Sequence, residues 1–196
     1  GGVALTTLNA SAMTGALTGT LSADKVAVSL GSKSSTVNFG TSLDNNDSVT
    51  GGSGTADTVT ATMTGKTATT GALTIGAVEN INLTTSGNNT LDLSGVTGSA
   101  TIAVTDNVQT ITGLDLSQTI SLGLTGDESA TASEIDVTAA DASGTNDTLN
   151  VAIENTNGAT TSIIDASNIE NLALTVNSTN ATNLDLTTFE GTGITL

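Results

Sequence analysis

Six residue types are missing from this 196-residue chain: Arg, His, Cys, Pro, Trp and Tyr. Aromatic side chains are limited to Phe39 and Phe189, and positive charge to Lys25, Lys33 and Lys66. Each absence excludes a chemistry. Without Cys or His there is no disulfide framework, no zinc site, no thiol nucleophile and no imidazole base. Three lysines cannot neutralise a phosphate backbone, so nucleic acid is not an expected partner. No apolar run approaches the roughly 18 residues of a spanning helix, so membrane insertion is not expected either. The chain opens at Gly1-Gly2-Val3, without an initiator Met or a signal peptide, and reads as a piece processed from something longer.

What is present is Thr, Gly and acid. There are 41 Thr, 22 Gly and 19 Asp plus Glu, for a formal net charge of −16. A cysteine-free, acidic, Thr/Ser/Asn/Gly-rich composition suits a secreted surface protein. Leu, Ile, Val and Phe together number 46, about 23%, just above the roughly 20% at which disorder becomes the default. Pattern decides for a folded chain. Thr58-Val59-Thr60-Ala61-Thr62-Met63-Thr64 alternates, as do Glu79-Asn80-Ile81-Asn82-Leu83 and Leu172-Ala173-Leu174-Thr175-Val176. Period-two alternation with β-branched residues predicts strands with one buried face. No 3.6-residue stripe is sustained. The expected class is all-β, with short strands between Gly, Asn, Asp and Ser turns.

The chain also repeats itself. Residues 53–63 match 143–153 at an offset of 90, Val78-Glu79-Asn80-Ile81 matches Ile169-Glu170-Asn171-Leu172 at 91, and Leu91-Asp92-Leu93-Ser94 matches Leu184-Asp185-Leu186-Thr187 at 93. Three blocks in one order are a tandem duplication. Leu8-Asn9-Ala10-Ser11 begins a partial third copy, 83 residues before Leu91. The organisation is therefore a single elongated repeat domain over 1–196. Residues 1–90 hold the end of one unit plus the first unit, 91–183 the second, and 184–196 the start of a further one.

Inside the units, [Leu/Ile]-Asp-x-[Ser/Thr] tetrads (with Ala166 in the third position of one) centre on Asp92, Asp115, Asp136, Asp165 and Asp185, at steps of 23, 21, 29 and 20. One coil of a parallel β-solenoid takes about that many residues. A parallel β-solenoid is the expected architecture, and antiparallel β-sandwich modules are the alternative. On a solenoid the tetrad would stack Leu/Ile inward and Asp outward, at about 4.8 Å spacing. Like charges directly opposite are destabilising. Two remedies are open: Asx-type hydrogen bonds to nearby N–H or hydroxyl groups, or Ca²⁺ between carboxylates of neighbouring coils. The candidate metal ligands are Asp47, Asp57, Asp92, Asp115, Asp136, Asp147 and Asp185. Asp47 follows Asp44-Asn45-Asn46, an oxygen-rich loop that precedes Gly51-Gly52-Ser53-Gly54.

Gly51-Gly52-Ser53-Gly54-Thr55-Ala56-Asp57-Thr58-Val59 resembles the glycine-rich nonapeptide of RTX secreted proteins, with one residue inserted before the Asp. The wider order of Gly-Thr-x-Asp-Thr, then [Val/Ile]-Glu-Asn-[Ile/Leu], then Leu-Asp-Leu-[Ser/Thr], resembles the repeats of bacterial surface-layer proteins and large adhesins. That resemblance covers most of residues 53–104 and 143–196. It implies an extracellular, structural protein exported by type I secretion and assembled into a lattice or fibre with Ca²⁺. It also implies that Asp57 and Asp147 stand where the nonapeptide's ligand would. Self-association is the expected partnership, with exposed terminal coils stacking on the next copy and cell-surface polysaccharide as a further candidate partner.

Other classes fit less well. An adhesin stalk would use the same solenoid as a spacer. A polysaccharide-active β-helix enzyme would need aromatic platforms and basic residues that the chain scarcely has, so no enzymatic activity is expected. The Thr58, Thr60, Thr62, Thr64 face suggests ice binding, but the second copy places Thr148, Asn150, Ala152 and Glu154 there. This face therefore reads as a solvated strand face.

Overall fold

The alternating segments fold as expected into strands, and the described residues contain no helix. The computed structural model describes residues 5–22, 24–64, 71–86, 89–104, 109–114, 120–125, 133–139, 148–154, 160–176, 182–186, 189 and 193–195. The first six strands are short: β1 (Thr7–Asn9), β2 (Thr18–Thr20), β3 (Ala27–Ser29), β4 (Thr36–Asn38), β5 (Ser48–Thr50) and β6 (Thr58–Thr64). The next five are β7 (Thr74–Ser86), β8 (Asn89–Asp92), β9 (Val96–Val104), β10 (Gln109–Leu114) and β11 (Ile120–Thr125). The last six are β12 (Ser133–Ala139), β13 (Thr148–Glu154), β14 (Thr160–Ser167), β15 (Asn171–Val176), β16 (Thr182–Asp185) and β17 (Gly193–Thr195).

All strand pairs described are parallel, which sets aside the antiparallel sandwich. Thr7 pairs with Ala27, Ala27 with Ser48 and Ser48 with Thr74, so the chain returns to its own edge after 20, 21 and 26 residues. That return makes a solenoid. Twelve strands form one sheet, along β1-β3-β5-β7-β9-β11-β13-β15-β17 with β2-β4-β6 as a second ladder that joins at β7. A second sheet runs β16-β14-β12-β10-β8.

Strand β7 is where the two early ladders merge. Its Thr74–Gly76 portion pairs with β5, and its Asn80–Ser86 portion pairs with β6. Between them Ala77 adopts φ 54°, and Val78 turns into the core. The core is built from stacked aliphatic rows. Val37, Val59 and Ile81 are in register and fully buried, as are Val28, Val49 and Ile75. Each rung closes the apolar face of the one before, the cooperative logic of a repeat array.

The duplicated blocks fold alike. Thr58 pairs with Asn80 and Val59 with Ile81; Thr148 pairs with Asn171 and Leu149 with Leu172. The residue before each [Val/Ile]-Glu-Asn is left-handed: Ala77 at φ 54° and Asn168 at φ 61°. The third tetrad-like segment differs in placement. Asn9 ends a strand of the long sheet, whereas Asp92 and Asp185 end strands of the five-stranded one.

The expected single column of tetrad aspartates does not form. Asp92 pairs with Thr112, Thr110 with Asp136, Asp136 with Asp165, and Asp185 with Ile163. The reason is rung length. In this sheet the register advances by 20, 26, 29 and 22 residues, while the tetrads advance by 23, 21, 29 and 20. The two series agree only at 29, and only Asp136 and Asp165 become neighbours. Gly113, at φ 72°, takes up a register shift between Thr112 and Leu114, just before the second tetrad. Asp115 and Asp147 lie outside the described residues.

Candidate functional site

The densest polar constellation lies where the early strands begin. The residue that precedes β5 is Asp47, and the one that precedes β6 is Asp57; they are 2% and 0% exposed. Asp47 Oδ1 accepts the Val26 N–H at 2.8 Å, and its Oδ2 accepts the Asp44 N–H at 3.0 Å. Asp57 Oδ1 accepts the Ser35 N–H at 2.8 Å, and its Oδ2 accepts the Gly52 N–H at 3.0 Å. Val26 and Ser35 precede β3 and β4, so each aspartate reaches back one rung to the residue equivalent to itself.

The pattern continues in both directions. Leu17, just before β2, donates its N–H to Ser35 Oγ at 3.2 Å. Asp57 donates its own N–H to Glu79 Oε2 at 2.7 Å. Backbone bonds run the opposite way, from Thr36 N to Leu17 O, Thr58 N to Ser35 O and Asn80 N to Asp57 O. Leu17, Ser35, Asp57 and Glu79 thus form a strand-start ladder with one side-chain acceptor per rung. A carboxylate takes the N–H that the ladder loses where the chain turns, and a charged acceptor makes that bond stronger than a neutral one.

The Gly-rich loop is shaped by the same contact. A Cβ on Gly52 would stand 1.6 Å from the Gly31 carbonyl oxygen, and one on Gly51 would stand 1.5 Å from the Ala77 carbonyl oxygen. A Cβ on Gly54 would crowd Lys33 and Ser34 at 2.9 Å. These glycines let one rung lie against the rungs on both sides and bring the Gly52 N–H to Asp57.

At strand ends the chain uses a different device. Asp92 Oδ1 accepts the Ser94 N–H at 3.0 Å and the Ser94 hydroxyl at 2.6 Å. Asn9 Oδ1 accepts the same two groups of Ser11, at 3.1 and 2.7 Å. The turns that follow are equivalent, with Met13 N bonded to Ala10 O, Val96 N to Leu93 O and Phe189 N to Leu186 O. At Asp92 the Asx-type remedy for acidity is therefore the one in place. Asp44 makes a related turn, its Oδ1 accepting the Asn46 N–H at 2.8 Å.

Of the expected metal ligands, Asp47 and Asp57 sit on neighbouring ladders and each is ringed by inward-pointing N–H groups. Asp92 stands in its turn, Asp185 is half-buried at the end of β16, and Asp136 lies in β12. Among the described residues no three acidic side chains converge as a metal cluster. Ser35 and Glu79 are members of the ladder that residue chemistry alone did not single out. Their signal was the spacing: Ser35, Asp57 and Glu79 are each 22 residues apart, one rung.

Compared with protein-family models, curated proteins and solved structures, the chain matches none.

Proposed function

We propose that this chain is a structural segment of a bacterial surface-layer lattice or extracellular fibre, exported from the cell and assembling with Ca²⁺. One observation carries the reading: the buried acidic side chains serve the backbone. Asp47 and Asp57 tie one rung to the next, and Asp92 closes a turn. Acid used in this way builds a rod. The resemblance of the repeats to surface-layer and adhesin segments supplies the setting. Calcium is proposed at Asp136 and Asp165, which stand in register on β12 and β14.

Purified chain in calcium-free buffer is expected to stay dispersed, and millimolar CaCl₂ to produce ordered assemblies in electron microscopy and light scattering. A monomer indifferent to calcium would overturn the proposal. The same rod serves as the spacer of a large adhesin in the second reading. A ligand-binding domain elsewhere in the full-length protein, together with calcium-indifferent monomers, favours that one.

A further inference from the structure

The β2-β4-β6-β7 ladder of the long sheet presents an outward face of neutral polar residues. Thr18, Thr36, Thr58 and Asn80 stand in register on β2, β4, β6 and β7. Thr20, Asn38, Thr60 and Asn82 make the adjacent row, two residues along each strand. All eight are exposed or half-buried. The second row continues in register at Thr101, Ser121 and Asn150. No residue of either row is charged, although the chain carries a net charge of −16. The first row extends to Ser99, just past a register shift between β7 and β9, and the second row runs unbroken to Asn150 and meets Ala173 on β15.

We infer that this face binds ice. Charge is the first argument. A neutral lattice of water fits a strip without ions, and carboxylates placed there would hold their own disordered hydration. Spacing is the second. Rows of hydroxyl and amide groups repeat at about 4.8 Å across strands and about 6.7 Å along them. The oxygen rows of hexagonal ice repeat at two similar distances, so water held by this face lies near ice-like positions. Shape is the third. A glycan site is ordinarily concave and carries aromatic platforms, whereas these rows hold no aromatic and Phe39 is buried. A comparison of duplicated copies hides the array, because it sets β6 beside β13. The spatial neighbours of β6 are β4 and β7, and both carry the rows on.

The test is ice-affinity partitioning of the full chain without calcium, which keeps it independent of assembly. The chain is expected to enter a slowly growing ice phase several-fold more than an acidic control protein of similar size. Thr60→Lys and, separately, Asn82→Lys should reduce that uptake to the control level while circular dichroism and melting temperature persist. Ala12→Lys, in the exposed turn after β1 and outside the β2-β4-β6-β7 ladder, should leave it unchanged. Uptake equal to the control, uptake insensitive to both row variants, or retention on insoluble neutral glucan in place of ice would each overturn the inference.

Discussion

Ala77 shows how a single residue carries the geometry of a rung. Its φ of 54° lies in the left-handed region that an L-residue enters at a cost of about 1–2 kcal/mol. The chain accepts this because Val78 must turn inward while Gly76 still pairs with Thr97. Ala77 is exposed, so its methyl adds no core packing. Replacement by Gly removes the strain and loosens the unfolded chain by about 0.4–1 kcal/mol. Ala77→Gly is therefore expected to raise stability by about 0.5–1 kcal/mol, read as the midpoint of urea unfolding. An unchanged or lowered midpoint would mean that the neighbouring rungs, not Ala77, set this backbone angle.

Between strands, the strand-start ladder is the element that joins rungs outside the sheet hydrogen bonds. Asp57→Ala leaves the Ser35 and Gly52 N–H groups without their acceptor in a buried place, at a cost of about 2–5 kcal/mol. Glu79→Gln keeps an oxygen for the Asp57 N–H and should cost no more than about 1 kcal/mol. Urea unfolding of both variants checks the contrast, and equal costs would refute the role given to Asp57. Strands and coils were legible in the sequence because period-two alternation follows directly from which face is buried, as in Thr58–Thr64. The Asp column was not legible. Tetrads mark similar local turns, and rung length between them is set by loops and by the shift at Gly113, which local sequence does not encode. Asp47 and Asp57 are acceptors for a neighbouring rung, a relation visible only once spacings of 21 and 22 residues are read as adjacency.

For the whole molecule, charge opposes compactness. Nineteen acidic groups face three lysines, and a stacked rod holds them closer than an unfolded chain does. Raising ionic strength from about 0.01 to 0.15 M shortens the screening length from about 30 to 8 Å. The melting temperature is expected to rise over that range and then to level off, as followed by circular dichroism in NaCl. A melting temperature independent of salt would show that self-repulsion is already relieved inside the fold.

The parallel register also fixes how such a rod bears load. Hydrogen bonds between rungs lie along its axis, so an axial pull breaks them one rung at a time, beginning at an end. A released rung of 20–22 residues pays out roughly 70 Å of chain where it had occupied about 4.8 Å of rod. Under tension the solenoid is a shock absorber with a step length written into its register, and the carboxylates of Asp47 and Asp57 set the resistance of the rungs they join.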